Sequence, residues 1–516
     1  MKRIKKLSLL ILTGFLLFHT LPYETPGASE TTAGSKPASS GAQTDETTGA
    51  PVTLRICNWE EYIDLGDWDE EDTIDLESGD IIGENSMIDD FESWYEETYG
   101  RKVNVEYSTF GTNEDLYNML TLGDVYDLVC PSEYMFMKLM TENSLVPLSD
   151  AFFDETDDNN YYIKGVSPYI RNIFDNHTIN NERWSRYAAG YMWGVTGIVY
   201  NPDVLTREEA STWNVLGNPK FKRQITIKDN VRDSYFAAVG ALKSDLLTNP
   251  DFTSAPDYVQ RLEEEMNDVT PETIARVQDY LQDIKDNLYS FETDSGKADM
   301  ITGKVLANYQ WSGDAVYTMD QADEDDYTLN FAVPKESTNI YFDGWVMLKD
   351  GINGSAAKQH AAEAFINFCS RPDNAIRNMY YIGYTSVISG GEDGRIMEYA
   401  DWSYGADEDE TAAADYPLGY FFSGDPDDED YILTVPVSQL DRQLSAQYPS
   451  EEAISRSSIM ICFDPEKNEA INQMWIHVRC YNIHDVPAWA WVLTGGAAAV
   501  LTGIWLHRRN RRRLYL

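Results

Sequence analysis

The chain has 516 residues, 86 of them acidic and 40 basic, for a formal charge of -46. That balance argues against a nucleic-acid partner, because phosphate binding needs a cationic surface; it suits a cationic ligand better. The five cysteines share no CxxC spacing and the six histidines are scattered without an HExxH pattern, so neither a disulfide framework nor a metal or cofactor site is implied.

Lys2, Arg3, Lys5 and Lys6 precede an apolar run from Leu7 to Phe18. This has the form of a signal peptide with Ala28 as a cleavage point, so 1–28 is expected to be a targeting segment. Residues 29–51 are Ser, Thr, Gly, Ala and Pro with scattered charges and cannot bury a core; a disordered linker is predicted. The stretch 52–485 is long enough for two lobes. Val52–Asn58 reads as a strand, and 86–98 as a helix with Met87, Phe91 and Tyr95 on one face. Lys102–Tyr107 alternates like a strand, Asn113–Leu122 is helical, Tyr126–Cys130 is a short apolar strand, and Ser132–Glu142 restarts a helix. This β-α-β-α-β-α order predicts an α/β fold with a mostly parallel sheet. Ligands of such sheets collect beyond the carboxyl ends of the strands. Trp59-Glu60-Glu61-Tyr62 and Ser132-Glu133-Tyr134 both sit at such ends.

The second half continues in the same style. Gly194–Tyr200, Gln224–Lys228, Lys304–Gln310, Phe331–Pro334 and Gly344–Leu348 read as strands, Pro271–Leu288 and Ala356–Cys369 as helices. Residues 391–450 form a long acidic insertion rich in Tyr, Asp and Gly. Acidic runs at 67–72, 407–410 and 425–430 read as solvated loops. None shows the ligand spacing of a calcium-binding EF-hand loop. Ala488 to Leu506 carries no charge and runs into five arginines between 508 and 513. About 20 uncharged residues suffice to span a bilayer. Residues 486–506 are therefore expected to be a transmembrane helix, with the basic tail 507–516 in the cytoplasm and the rest outside.

Ten segments carry a resemblance. They are NWEEYI (58–63), YSTFGTNEDLYNML (107–120), YDLVCPSEYMFMKL (126–139), YMWGVTGIVYNP (191–202), TWNVLGNPKFK (212–222), KDNVRDSYFAAVGAL (228–242), LANYQWSGDA (306–315), YFDGWVML (341–348), FINFCSRPDNA (365–375) and YIGYTS (381–386). In this order they resemble the periplasmic polyamine-binding proteins, the receptors of spermidine and putrescine ABC importers. The resemblance implies a two-lobed, type II-like periplasmic-binding-protein fold with the ligand in the cleft between lobes. Lobe 1 would be 52–188 with 344–390, and lobe 2 would be 189–343 with 391–485. It implies a non-enzymatic receptor that works with a permease and an ATPase on separate chains, since this chain has no Walker A loop.

A polyamine is a string of ammonium groups on methylene spacers. Carboxylates must meet the ammoniums, and aromatic faces must line the spacers. By resemblance, Trp59 and Tyr62 form one wall with Glu61 between them, and Ser132 and Tyr134 add hydroxyl contacts. Trp311 forms a second wall and Tyr384 adds a further ring. Asp343 grips an amine, and Asp233 stands where the family has glutamate. Asn230 replaces a family aspartate and Tyr341 a family tryptophan, which keeps putrescine or another diamine open beside spermidine. Other readings of the same residues also stay open: Ser132 as a helix cap, Asp343 as a partner of Arg232, and Trp59 and Trp311 as core. As a whole, the chain could instead be an anchored, secreted hydrolase acting on glycans, a receptor for another cation such as iron, or an acidic surface protein without a small ligand.

Overall fold

The computed structural model describes residues 51–480, position 408 excepted. The expected targeting segment, linker and transmembrane helix lie outside these residues. Among the described residues no helix is long and apolar enough to cross a membrane.

The fold starts with strand β1 (Val52–Trp59), which pairs in parallel with β2 (Val103–Phe110) on one side and β3 (Leu128–Val129) on the other. The connecting helices Met87–Tyr99 and Asn113–Leu122 are well delimited. Ser86 and Thr112 accept hydrogen bonds from the amides of Asp89 and Asp115, and Gly100 and Gly123 close the helices in left-handed backbone. The two longest strands come later: β4 (Ala188–Tyr200) and β8 (Thr338–Leu348), each buried along its whole length. Between them lie β5 (Ile225–Lys228), β6 (Ser290–Glu292) and β7 (Ala307–Trp311). The sheet runs β2-β1-β3-β8-β4-β7-β5-β6.

β4 and β8 pair antiparallel from Ile340 opposite Val195 to Val346 opposite Ala188, with a register shift between Asp343 and Gly344. One end of β8 pairs with β3 and one end of β4 with β7. The pair therefore crosses from one half of the molecule to the other. Burial on both faces removes the alternation that marks a strand. Periodicity accordingly predicts only Gly194–Tyr200 and Gly344–Leu348, the ends of these strands.

Two hydrophobic cores flank the crossing. Leu54, Ile56, Phe91, Phe136, Trp345 and Phe365 belong to the first, and Trp213, Phe236, Leu281 and Tyr309 to the second. Residues 391–450, expected with the second lobe, bury Tyr399, Phe421, Val435, Leu444 and Tyr448 in the first core. That core also takes in Val316, Met319 and Phe331 from the segment expected in the second lobe, and Arg442 pairs with Asp323 there. Aromatic and aliphatic residues spaced between the acids supply that contact, and only the later stretch from Met460 to Val478 joins the second core. The acids Asp407, Asp409, Asp425, Asp427 and Asp430 are exposed, whereas Asp72 is buried and closes a capping box with Asp69. All five cysteines are free, with Cys57, Cys130 and Cys369 buried.

Candidate functional site

A cleft of about 950 Å³ opens where the two halves meet at the crossing strands. All eleven residues singled out from the sequence line it: Trp59, Glu61, Tyr62, Ser132, Tyr134, Asn230, Asp233, Trp311, Tyr341, Asp343 and Tyr384. They come from six places in the chain: the end of β1 with the loop after it, the helix start after β3, the helix start after β5, the end of β7, β8, and the segment after the helix Pro372–Ile382 that carries Tyr384. Ten carboxylates line the cleft against two basic side chains, Arg232 and Lys297.

Asp343 occupies the register shift of β8 and is 4% exposed. Tyr62 Oη donates to its Oδ2 at 2.6 Å and Ser132 Oγ to its Oδ1 at 2.7 Å. Ser132 precedes the helix Glu133–Thr141 but makes no capping hydrogen bond; its hydroxyl serves Asp343 instead. Each carboxylate oxygen keeps a further lone pair for a donor from the cleft. Burial pushes the Asp343 carboxyl up to about 6, while the Tyr62 and Ser132 hydroxyls pull it down. Arg232 does not pair with Asp343. It donates to the Ile461 carbonyl at 2.7 Å and lies against the rings of Tyr134 and Phe463.

Three tyrosine rings stand beside Asp343. Tyr62 meets Tyr384 edge to face at 4.7 Å between centroids, and Tyr341 meets Tyr384 at 6.3 Å. Tyr384 Oη in turn donates to Asp314 Oδ1 at 3.1 Å. The ring fits because residue 313 is glycine: a Cβ there would fall 2.1 Å from the ring of Tyr384. Asp314 escapes the sequence reading although it lies three residues beyond Trp311. Lys228 Nζ reaches its Oδ2 at 3.4 Å and Lys297 Nζ its Oδ1 at 3.6 Å. Burial works against its charge, yet Lys297 and Lys228 hold its carboxyl below the usual carboxylate range. The Lys228 ammonium also sits 3.9 Å from the centre of the Trp311 ring, a cation–π contact.

The remaining residues divide between binding surface and scaffold. Trp59 is half-buried against Phe110 at 4.7 Å, and Glu61 holds left-handed backbone at φ 53° with a largely exposed carboxylate. Asn230 caps the helix Val231–Leu242, its Oδ1 accepting from the amides of Arg232 and Asp233 at 2.8 and 3.2 Å. The Tyr134 hydroxyl donates to Glu114 at 3.2 Å. Burial pushes Asp233 up to about 7, opposed chiefly by Lys228. Glu133, placed at a strand end by the sequence but given no role there, is fully buried beside Asp343. It accepts from the amides of Phe342 and Met460 at 3.0 and 3.4 Å, and burial pushes its carboxyl up to about 8. Trp59 Nε1 and Asn339 Oδ1 are buried at the cleft and find no partner among the described residues, a condition native proteins rarely tolerate. Among the described residues, no group of three or more His, Cys, Asp or Glu side chains is placed to hold a metal ion.

Two halves joined by a pair of crossing strands, with a ligand-sized cleft at the junction, define a solute-binding protein of the two-lobed α/β periplasmic type. The family model for bacterial extracellular solute-binding proteins matches residues 86–400, and the chain belongs to that family. It is 25% identical over 334 residues to the putrescine-binding periplasmic protein PotF of Escherichia coli, covering 62% of this chain and 74% of that one. It is 26% identical over 335 residues to the spermidine/putrescine-binding periplasmic protein of Salmonella typhimurium, covering 64% and 76%. The fold is similar to that of the spermidine/putrescine ABC transporter substrate-binding protein PotD from Streptococcus pneumoniae, solved with calcium and HEPES. That likeness has a TM-score of 0.52 and 22% identity, and it covers 83% of this chain and 98% of that one. The TpPotD lipoprotein of Treponema pallidum gives a TM-score of 0.53 and 18% identity, with 83% and 99% covered.

Proposed function

We propose that the protein is the extracellular substrate receptor of an ABC importer and that it binds a polyamine, putrescine or spermidine, in the cleft. The observation that carries this reading is Asp343: a buried carboxylate whose two oxygens are each oriented by a hydroxyl, set beside the rings of Tyr62, Tyr341 and Tyr384. An ammonium has donors for the free lone pairs, and the rings suit methylene spacers better than they suit the hydroxyl groups of a sugar. The excess of carboxylates over basic groups in the lining supports a cation. The similarity to putrescine-binding and spermidine/putrescine-binding proteins supports a polyamine in particular.

In this mechanism the ligand enters an open cleft and places one ammonium on Asp343. Trp59, Glu61, Tyr62, Ser132 and Tyr134 come from one half, and Asn230, Asp233 and Trp311 from the other. Contacts from both halves are what give a ligand differential affinity for the closed form. The closed form would then dock on a separate permease, with its ATPase on a further chain, and no chemical step occurs. The run 486–506 would hold the receptor at the membrane and raise its local concentration near the permease.

The test is a thermal-shift screen of the purified protein with putrescine, cadaverine, spermidine and spermine. A ligand bound at 100 times its Kd stabilises by about 2.7 kcal/mol, so a clear rise in melting temperature is expected with at least one of them. No shift with any polyamine would refute the reading.

A further inference from the structure

The ammonium of Lys297 already stands inside the cleft. Lys297 lies on the short helix Ser295–Ile301, in the half that carries Trp311. Its Nζ is 3.6 Å from Asp314 Oδ1, 3.6 Å from Glu61 Oε2 and 3.8 Å from Asp294 Oδ1. It also lies 5.7 Å from the centre of the Tyr317 ring. The side chain is 17% exposed. Three carboxylates thus surround one ammonium, each slightly beyond ordinary hydrogen-bond length. The cage is held by charge rather than by a fixed fork of the kind arginine would make. Asp314 above all keeps the ammonium protonated, against the burial that opposes it. A methylene stem, a terminal ammonium, acids around it and a tyrosine ring beside it reproduce one end of an alkyl polyamine. At Asp343 the situation differs: among the described residues its partners are the Tyr62 and Ser132 hydroxyls, and it forms no ion pair.

We propose that Lys297 is a specificity-determining residue whose tethered ammonium stands in for one ammonium of a longer ligand and so sets the cleft to prefer a diamine over a triamine. The inference rests on the polyamine reading above. A diamine needs the Asp343 end and the tyrosine rings, which Lys297 leaves open. A triamine brings a further cation toward the cage of Glu61, Asp294 and Asp314. There it either meets the lysine, where like charges are poorly screened, or must displace it from its acids. Substituting a neutral side chain frees Glu61 and Asp294 for that third ammonium and leaves Asp314 with Lys228 as its one lysine partner among the described residues, at 3.4 Å from Oδ2.

The test is calorimetric titration of putrescine and spermidine into the full-length protein and its Lys297→Met, Lys297→Gln and Lys297→Arg variants, at one pH and ionic strength. The wild-type protein is expected to bind putrescine more tightly than spermidine. In the Met and Gln variants the ratio of the two Kd values should move toward spermidine by at least about tenfold, the worth of one charge-assisted hydrogen bond gained. The Arg variant should keep the wild-type preference. The Gln variant carries the test if the Met variant does not fold. Tight binding of both amines with a ratio changed less than twofold in the neutral variants would overturn this inference alone, as would a wild-type preference for spermidine. A wild-type protein that bound neither amine would overturn the polyamine reading and this inference with it.

Discussion

Replacing Asp343 with asparagine separates the cost of a buried charge from its use. The carboxyl sits 4% exposed, and burial lifts it from its ordinary 3.8 to about 6. A shift of that size corresponds to about 3 kcal/mol spent in keeping the group ionised at neutral pH. Asparagine removes that cost. Its amide nitrogen cannot accept, so one of the hydroxyls of Tyr62 and Ser132 loses its acceptor, at about 1–3 kcal/mol. The two terms nearly cancel, and the ligand-free variant should melt close to the parent or slightly above it. Binding should behave otherwise. The ligand's ammonium loses its charged partner in a closed site, which costs about 3 kcal/mol or more and raises Kd by about 100-fold. Calorimetry gives the affinity, and a thermal or urea melt gives the stability. A variant that bound polyamine within threefold of the parent would refute the assignment of Asp343. A variant that lost several kcal/mol of stability would show the carboxylate to be structural.

Protonation should tune binding as well: Asp343 and Asp233 are raised by burial to about 6 and about 7, so both gain protons as pH falls from 8 to 5. The acid form of Asp343 cannot pair with an ammonium, and through this group alone Kd should rise by about tenfold per unit below pH 6, measured by titration across that range; an affinity flat from pH 8 to 5 would contradict the site. For ligand-free stability the sign is the reverse, because the folded state holds the Asp343 proton over the window from about 4 to about 6 where the unfolded chain releases it. This group's contribution therefore falls as pH rises through the window, and the Asp343→Asn variant should gain on the parent there in melting temperature. Gly313→Ala places a Cβ 2.1 Å from the Tyr384 ring and should cost about 1–3 kcal/mol of stability. It should also cost at least tenfold in affinity, and normal binding would show that the Tyr384 ring is dispensable. Asp64→Asn should destabilise by about 3 kcal/mol in urea unfolding, because Asp64 is fully buried and takes the guanidinium of Arg377 at 2.8 Å from Nε; a loss under 1 kcal/mol would show that this pair does not hold the loop carrying Tyr62.

What the sequence made legible depends on how burial is distributed. The helices Met87–Tyr99, Asn113–Leu122 and Ala356–Cys369 each join an apolar face to a capping residue, Ser86, Thr112 or Ser355, and both signals are local. The crossing strands are buried on both faces, so only their ends can be read. Of the eleven cleft residues expected from the sequence, Trp59, Glu61, Tyr62, Ser132 and Tyr134 follow from the β-α-β pattern, which puts them at strand ends, and the other six from motif resemblance alone. Their roles toward a ligand are set by contacts between residues far apart in the chain. Ser132 illustrates the limit: its position is that of a helix cap, and only the fold shows its hydroxyl turned to Asp343 across 211 positions. Asp314 and Lys297 carry no signal of their own, because a single acid among 86 has no signature and a lysine in an acidic cleft has none either; Glu133 sits at a strand end, but its burial there is visible only in the fold. The insertion is legible only in part: its acidic runs read as solvent-facing and Asp407, Asp409, Asp425, Asp427 and Asp430 are exposed, while the burial of Tyr399, Phe421 and Tyr448 between them has no local signal.

The central claim is that Asp343 and the tyrosines beside it hold one end of a polyamine. The most direct measurement is a crystal structure of the protein grown with the polyamine that binds most tightly in titration. The account predicts an ammonium nitrogen about 3 Å from an Asp343 oxygen, with the methylenes lying against the rings of Tyr62 and Tyr384. An occupied cleft in which no amine approaches Asp343, or a polyamine bound only elsewhere on the surface, would contradict it.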